Sequence, residues 1–547
     1  NGNKDILGCD IGNGFGFVSL LQEVNSDPFP MFPAKYKLTP LGMPTSAYIA
    51  PPDGTKIEVF CFKKSGGRAA IKEYSRNPER FVHAAKTRLK EGKIHVPGIA
   101  KTVSADAIYA AIARDLIALA NEQCRNMGKD PVYDVVFTFP AAFSDDLPLL
   151  NRMQSGIESV ELDGRKIKVI GRLPEPAAAA IDYLHYMQNI APEHIRISED
   201  HFTVLVYDLG HGTFDTAVVT ARSKGEPYQV LAKSGLPEIG GKDFDDILYR
   251  EICRILKERC GYVPKNEEMR AYIRSAAANM KHELSDSESG MFQLLVQDGS
   301  YVDIEITREQ FEELSWHLLS QTLELVKDVL EGAAVRGIVI DAIVLSGGAS
   351  QMPMVINNLN KLVAEENISV RVYRPSEAVS YGAARYAYGL RAGAFSQPEN
   401  GCVPSFMPEI IRKQIPSGGN ANTVLEQFTD HCYGIWLPSE KKLSGNVHFI
   451  VKSGIKLPAV SESVPIISAS GRVVLKLYRS KEKDTNIEIA EVEQCTEIMR
   501  IPFDIPCNTI CEVRIVVLED YNVKVVCSID NETSVVKSTA DGLDKLV

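Results

Sequence analysis

The sequence predicts two successive parts of different fold class: α/β over residues 1–390 and all-β over residues 426–547, joined by a linker at 391–425. In the first part, strand-like runs such as YDVVFTFP and FTVLVYDLG alternate with helical stretches, as in layered α/β domains. The linker is rich in Gly, Pro, Ser and Asn. The last part consists of short β-branched runs such as RVVLKLYR, separated by turn residues, which is typical of a β-sandwich.

Bulk composition narrows the class of protein. The 547 residues are 45% hydrophobic and 24% charged, which suits two or three globular domains. A net charge of −11 argues against a nucleic-acid or anionic-membrane partner, and no apolar run approaches the roughly 18 residues of a membrane span. The 11 cysteines form no CxxC pair, and the chain begins without a signal-peptide pattern. We therefore expect reduced thiols and a cytoplasmic location.

The clearest helix prediction covers residues 104–126, SADAIYAAIARDLIALANEQCRN. Ser104 is the expected N-cap residue. Apolar residues then recur at helical spacing, which places them on one buried face. They are Ile108, Ile112, Leu116 and Leu119.

The first candidate site is the segment ILGCDIGNGFGFVSLL, in which two apolar runs flank a short loop. Asn13-Gly14 predicts a type I′ hairpin turn with positive φ angles. Asp10 lies at the mouth of this hairpin, where successive backbone N–H groups can form an anion-binding concavity. The glycine spacing and the following strand do not fit a dinucleotide-binding GxGxxG motif, and no GxxxxGK[ST] sequence occurs.

The segment VYDLGHGTFD repeats this design, with Asp208 before the loop and His211 at its centre. Two strand-Asp-x-Gly-turn-strand units are what a two-lobed site needs to hold a polyphosphate from both sides. An isolated unit is more simply interpreted as an ordinary hairpin with a surface aspartate.

Four further segments follow in a fixed order: LPEPAAAAIDYL, EIGGKDFDDIL, VLSGGASQMPMV and PSEAVSYGAA. With the two hairpins, they resemble the seventy-kilodalton heat-shock (DnaK-type) chaperone family over nearly the whole chain. The resemblance implies an actin-like α/β ATPase fold with two lobes, built on duplicated mixed sheets with helices. It also implies that an all-β sandwich follows the ATPase domain.

The resemblance implies a site for ATP or ADP with Mg²⁺, which Asp10 and Asp208 would hold largely through water. Lys86, Glu175 and Thr213 complete the implied catalytic set with these two aspartates. Asp215 would orient its hairpin, and a structural role is favoured for Asp243 and Asp245. The implied nucleotide-binding residues are Gly12, Asn13, Gly14, Gly210, His211, Gly212, Gly240, Gly241, Lys281, Ser285, Gly347, Gly348 and Gln351.

Several positions depart from the family pattern. Ala278 stands where a ribose-binding glutamate is usual, and His282 and Gln351 replace arginines that would lie against adenine. Ser376 replaces a frequent aspartate, and Asn13-Gly14 replaces two threonines. We expect weaker nucleotide affinity, looser purine specificity and slow or absent hydrolysis.

His211 stands where the family has glycine. Histidine tolerates positive φ, so one interpretation is that the ring points to solvent and the turn merely accepts it. The alternative hypothesis is that the imidazole donates to a phosphate, in which case nucleotide affinity should rise below about pH 6.5.

The β-rich part occupies the place of the family's peptide-binding sandwich, with a looser match and no helical lid after it. The leading interpretation is a divergent, lidless chaperone that couples nucleotide state to binding of unfolded or extended polypeptide. A co-chaperone or exchange factor would be a further partner. The alternative is a nucleotide-sensing actin-like scaffold that recruits one dedicated partner without useful hydrolysis.

Overall fold

The computed structural model describes the chain from residue 5 to residue 538 with gaps, and the statements below concern the described residues. The described residues are 5–23, 26–33, 42–50, 54–59, 78–189, 201–222, 228–295, 301–391, 425–437, 446–468, 472–482, 487–504, 506, 509–518, 521–529 and 533–538. Apart from its two end residues, the predicted linker lies outside them.

The chain divides into two compact units. The first consists of Asn1–Asp145, Arg152–Lys224 and Ala232–Arg391, and the second of Asp146–Asn151, Gly225–Leu231 and Ala392–Val547. The strands up to residue 391 are β1 Leu7–Ile11, β2 Phe15–Leu20, β3 Phe29–Pro30, β4 Met43–Pro44, β5 Ala47–Ile49, β6 Ile57–Val59, β7 Phe81–Val82, β8 Lys93–Ile94, β9 Val103–Ser104, β10 Asp134–Phe139, β11 Glu161–Leu162, β12 Arg165–Lys166, β13 Lys168–Pro174, β14 Phe202–Leu209, β15 Phe214–Ala221, β16 Tyr228–Leu236, β17 Ser289–Leu295, β18 Tyr301–Thr307, β19 Ala342–Ser346 and β20 Ser369–Val372. The helices are α1 Ala85–Arg88, α2 Ala105–Asn126, α3 Leu147–Glu158, α4 Glu175–Asn189, α5 Gly241–Cys260, α6 Glu267–Asp286, α7 Arg308–Val335, α8 Pro353–Leu362 and α9 Ala378–Arg391.

Two mixed sheets with the same internal arrangement carry the first unit. In one, β1 pairs antiparallel with β2 and parallel with β10, which pairs parallel with β13. In the other, β14 pairs antiparallel with β15 and parallel with β19, which pairs parallel with β20. Each sheet thus presents a hairpin whose first strand carries an aspartate near the loop, Asp10 in β1 and Asp208 in β14.

Helix α2 confirms the prediction for residues 104–126. The Ser104 hydroxyl accepts a hydrogen bond from the Ala107 N–H (3.4 Å) and caps the helix. The four predicted apolar positions are all buried, because one stripe of the helix packs against the core. They are Ile108, Ile112, Leu116 and Leu119.

Helices α4 and α9 pack closely against each other and against the central strands. A Cβ atom added to Gly8 in β1 would lie 2.3 Å from the Ala384 nitrogen in α9, so only glycine fits there. The Ala-rich sequence of α4, EPAAAA, leaves equally little bulk between backbones. These small residues set the spacing between the strand that carries Asp10 and the helix that begins at Glu175.

The second unit contains two antiparallel sheets. Its strands are β21 Leu425–Glu426, β22 Tyr433–Leu437, β23 Asn446–Val451, β24 Ala459–Val460, β25 Val464–Ser468, β26 Arg472–Ser480, β27 Ile489–Glu491, β28 Cys495–Asp504, β29 Thr509–Val517, β30 Val523–Ile529 and β31 Thr533–Ser538. One sheet has the order β27-β23-β22-β26-β28, and the other β24-β29-β30-β31 with β25 also on β29. The described residues after 425 include no α-helix. The β-sandwich and the missing lid both stay predictions.

The eight described cysteines are free thiols. None of the described helices combines the length and the apolar character that a bilayer crossing requires.

Candidate functional site

A cavity of about 220 Å³ in the first unit brings together almost all of the predicted site residues. The loops of both hairpins line it, together with Lys86, Glu175, Lys281 and Ser285. Gly240 and Gln351 are the two predicted residues that do not. The sequence motifs, although far apart in the chain, therefore converge on one site.

Close packing holds the first hairpin loop in place. A Cβ atom added to Gly12 would lie 2.2 Å from the Phe15 carbonyl oxygen. The Thr45 hydroxyl donates to the Gly12 carbonyl (2.8 Å), and the Thr45 N–H donates to the Gly14 carbonyl (3.0 Å). The loop is therefore fixed before any ligand binds.

The prediction of a type I′ turn at Asn13-Gly14 is wrong, because neither residue has a positive φ. Glycine is required at position 14 for a steric reason. A Cβ atom there would lie 2.9 Å from Cγ of His211 in the opposite hairpin. His211 has no positive φ either, so its backbone needs no special tolerance.

The GGKD segment supports the second hairpin loop from behind. The Gly241 N–H donates to the Gly210 carbonyl (2.8 Å), and the Lys242 N–H donates to the His211 carbonyl (2.9 Å). A Cβ atom on Gly240 would lie 2.5 Å from the Gly212 carbonyl carbon, so Gly240 backs the loop and does not face the cavity. The Asp243 carboxylate accepts from the Gly240 N–H (2.8 Å), which caps α5.

Four carboxylates gather around Lys86, three of them lining the cavity and the fourth, Asp215, lying behind it. Lys86 is 3% exposed and forms a hydrogen-bonded ion pair with Glu175. Burial and the proximity of Glu175 raise the pKa of Asp10 to about 7 and that of Asp215 to about 7. Burial, with Glu175 and Asp215 nearby, raises the pKa of Asp208 well above its usual range. Lys86 alone therefore cannot balance the negative charge that the cluster would carry with all four carboxylates ionised.

This charge excess fits a bound divalent cation. A cation between the two hairpins would favour the ionised carboxylates whose pKa values are raised. Within the described residues, no three His, Cys, Asp or Glu side chains converge as a metal cage. Mg²⁺ suits such a place, because it usually keeps several waters and takes one or two carboxylates plus phosphate oxygens. Asp10 and Asp208, which both line the cavity, are the residues that could hold it.

Asp215 lies behind the cavity and does not line it. Its carboxylate accepts a hydrogen bond from the Ala142 N–H (2.8 Å), and it pairs with Asp208 across β14 and β15. This geometry fits the predicted orienting role.

Lys86 reaches the site from a strained piece of backbone. Ala84, which precedes α1, has φ 52°, in the left-handed region that costs a non-glycine residue about 1 kcal/mol. Its carbonyl accepts from the Thr87 hydroxyl (3.0 Å) and the Arg88 N–H (3.2 Å), which hold the turn. The strain therefore lies directly beside the buried lysine.

The other end of the cavity includes two of the departures from the family pattern, His282 and Ser376. Lys281 contacts Asp245 (2.7 Å) and donates to the Gly241 carbonyl (2.9 Å), so its charge is already balanced. Gly347 has φ +81° and a Cβ there would lie 2.4 Å from the Leu209 carbonyl, so its backbone must be glycine. Gln351 is exposed and its amide donates to the Gly348 carbonyl (3.4 Å), outside the cavity lining.

The model of the Hsp70 protein family matches residues 52–397, which include Lys86, Glu175 and the whole second hairpin. This chain belongs to the Hsp70 family. It is 28% identical over 341 residues to "Chaperone protein HscA homolog" of Bordetella pertussis, covering 60% of this chain and 51% of the relative. It is 26% identical over 426 residues to "Chaperone protein dnaK3" of Thermosynechococcus vestitus, covering 72% and 56%. It is 31% identical over 271 residues to "Heat shock cognate HSP70 protein" of Trypanosoma brucei brucei, covering 49% and 37%. The chain spans about half the length, or less, of these curated relatives.

His211 gives this Hsp70-family site an unusual electrostatic feature. The ring is exposed to the cavity, but it lies deep in the cleft near Lys281, His83 and Lys242. Burial and these neighbours lower the pKa of His211 to about 4. The expectation that the ring becomes charged near pH 6.5 is therefore wrong for the free protein, where the imidazole is neutral.

Sequence reasoning missed the residues that support the Hsp70-family hairpins. The Thr138 hydroxyl donates to the Asp10 carboxylate (3.2 Å), and Thr45 holds the first loop. Thr138 carries the one hydroxyl in the apolar strand DVVFTF, and this polar residue was the sequence signal that could have identified it. Thr45 follows residues 34–41, which are not described, and no sequence pattern linked it to Gly12 or Gly14. The apolar lining of Phe15, Met352 and Val379 was also missed.

Proposed function

We propose that this Hsp70-family protein binds ATP or ADP with Mg²⁺ in the cavity and couples the nucleotide state to polypeptide binding by residues 426–547. The observation that carries the proposal is the convergence of two aspartate-bearing hairpins on a buried Lys86–Glu175 pair. The loops offer backbone N–H groups for phosphate oxygens, and the carboxylates offer a place for the metal.

In this proposal each residue has a separate task. Bound Mg²⁺ would supply positive charge to the phosphates and orient them. Lys86 would neutralise charge on the terminal phosphate, and Glu175 would accept a hydrogen bond from a water placed in line with it. Thr213, which is 4% exposed and lines the cavity, would present its backbone N–H to the same phosphate end, while its hydroxyl donates to Asp215. Positioning and charge stabilisation suffice for phosphoryl transfer, so no covalent intermediate on the protein is required.

Exposed apolar side chains support polypeptide binding by the second unit. Ile467 in β25 and Ile510 in β29 are neighbours across the two strands and are 65% and 55% exposed. Such a pair would contact an extended chain through its side chains while the chain's backbone forms hydrogen bonds. Two of the relatives described above are named chaperone proteins, and the third is named a heat shock cognate HSP70 protein. We propose the same role here, with a cytoplasmic location and an exchange factor or co-chaperone as a further partner.

Single-turnover hydrolysis of ATP, with and without an unfolded peptide, tests the proposal. We expect slow turnover in the wild type, a loss of about 100-fold or more in Lys86→Ala and Asp208→Asn, and stimulation by the peptide. Asp328→Asn, an exposed carboxylate on α7, is the matched control and should turn over like the wild type. If the protein neither binds nucleotide nor responds to peptide, the proposal is overturned.

A second candidate function is the nucleotide-sensing scaffold without useful hydrolysis. Two observations favour it: the orientation of Gln351 away from the cavity, and the Lys86–Glu175 ion pair, in which each charge already has a partner. Nucleotide binding with no turnover in either the wild type or Asp208→Asn would support this scaffold and exclude the ATPase.

A further inference from the structure

The two hairpin loops contact each other directly through one side chain from each side. The His211 ring lies on Gly14, where an added Cβ would be 2.9 Å from Cγ and 3.0 Å from Cβ of the histidine. In return, the Asn13 side chain lies on Gly212, where an added Cβ would be 2.6 Å from Nδ2 and 3.1 Å from Cγ of the asparagine. We name this reciprocal packing of Asn13 on Gly212 and His211 on Gly14 the cross-hairpin contact.

Both sides of the cross-hairpin contact are anchored. Asn13 is 6% exposed, and its Oδ1 accepts from the Thr87 N–H (3.2 Å) in the helix that carries Lys86. On the other side, the Lys242 N–H holds the His211 carbonyl (2.9 Å). The Asn13 side chain therefore cannot move away without breaking a hydrogen bond, and the backbone that carries His211 cannot shift without breaking another.

We propose that the cross-hairpin contact is a gate on the nucleotide site: it holds the two loops together, and nucleotide release requires it to open. The inference rests on the proposed nucleotide site and assigns Asn13 and His211 a positioning role within it.

The steric pattern explains why these four residues occur together. A side chain at position 14 and a ring at position 211 cannot both fit in the observed spacing, and neither can a side chain at 212 with Asn13. At distances this short, an added Cβ atom fits only if the opposite side chain moves. The histidine is neutral in the free protein, so the cross-hairpin contact depends on shape and not on charge.

A double-mutant cycle tests the gate on the full chain with a fluorescent ADP analogue and Mg²⁺. We expect His211→Gly to speed dissociation of the analogue by about tenfold, since changes at a contact act mainly on dissociation. Gly14→Ala should weaken binding and lower the unfolding midpoint in the wild type, but should change neither in the His211→Gly background. Gly210→Ala, whose Cβ would meet nothing closer than 3.7 Å, is the steric control and should act equally in both backgrounds.

The reciprocal pair gives a second arm should Gly14→Ala fail to fold. Gly212→Ala should weaken binding of the analogue and lower the unfolding midpoint in the wild type, and should change neither in the Asn13→Gly background. Additive effects in both cycles, or an unchanged dissociation rate in His211→Gly, would overturn the gate. If the analogue does not bind the wild type, the proposed function fails, and so does the gate. Non-additive shifts of the unfolding midpoint would in that case show that the loops pack on each other, but not that they control nucleotide release.

Discussion

Gly382 in α9 lies directly against the backbone of Ala178 in α4. A Cβ atom added to Gly382 would lie 1.7 Å from the Ala178 carbonyl oxygen, closer than any real contact. These two helices carry the EPAAAA and EAVSYGAA motifs, so the glycine fixes how near Glu175 comes to the strands of the site. Backbone on both sides leaves no flexible side chain to move aside.

We expect Gly382→Ala to lower the free energy of unfolding by about 3 kcal/mol or more, because the two helices must separate. Urea unfolding followed by circular dichroism would measure the change. Gly332→Ala in α7 is the control, since nothing lies within 4 Å of its Cβ. That change should stabilise the protein by about 0.5–1 kcal/mol through helix propensity. Equal effects of the two substitutions would contradict the packing argument.

A buried ion pair links the same two helices. The Asp182 side chain is fully buried, and its carboxylate accepts from Arg385 Nε (2.8 Å) and the Tyr373 hydroxyl (3.0 Å). Arg374 lies 3.3 Å from the same carboxylate, and Asp27 contacts both arginines. We expect Asp182→Ala to cost about 3–5 kcal/mol of unfolding free energy, since it leaves buried arginine charge without its main partner.

The half-exposed pair Arg152–Asp106 (2.7 Å) is the control for this prediction. Asp106→Ala should cost less than about 1 kcal/mol, because solvent screens the pair. The double substitution Asp182→Leu with Arg385→Met should cost less than Asp182→Ala alone. A double variant at least as unstable as the single one would count against an electrostatic origin.

Local patterns explain which parts were predictable from the sequence. Helix α2 followed from apolar spacing and a capping serine, and the cavity lining followed from motifs in a known order. The Asp182–Arg385 pair was not predictable, although Asp182 lies within one of those motifs and Arg385 directly follows another, because pairing across such a separation leaves no periodic signal. The need for Gly14 was interpreted as a backbone requirement, whereas the structure assigns it to contact with His211. A sequence shows that a residue is small, but it does not show which distant side chain leaves no room for a larger one.

Removal of magnesium should abolish the effect of Asp208→Asn on nucleotide affinity. With Mg²⁺ present, loss of this carboxylate removes a metal-binding group, so we expect weaker binding of ATP than in the wild type. With the metal chelated, burial and the neighbouring carboxylates raise the pKa of Asp208 well above its usual range, which favours the neutral carboxyl that asparagine imitates. The same substitution should then leave ATP affinity close to that of the wild type. Titration calorimetry with Mg²⁺ and with EDTA measures both. An equal weakening in both conditions would contradict a metal role for Asp208.

The lowered pKa of His211 predicts a pH-dependent stability of the nucleotide-free protein. Its ordinary value is 6.5, and in the fold it is about 4. Between these values the unfolded chain binds more protons than the folded one, so protonation favours unfolding as the pH falls. We expect the unfolding free energy of the wild type to fall, relative to His211→Gln, as the pH is lowered through this window. Above about pH 7 the unfolding free energies of the two proteins should change with pH in parallel.

The pKa of His83 is also lowered by burial, and its effect on stability has the same direction in both proteins. This contribution therefore cancels in the difference between them. Urea unfolding at a series of pH values measures this difference, and parallel curves down to pH 4 would show that the ring is not held neutral by the fold.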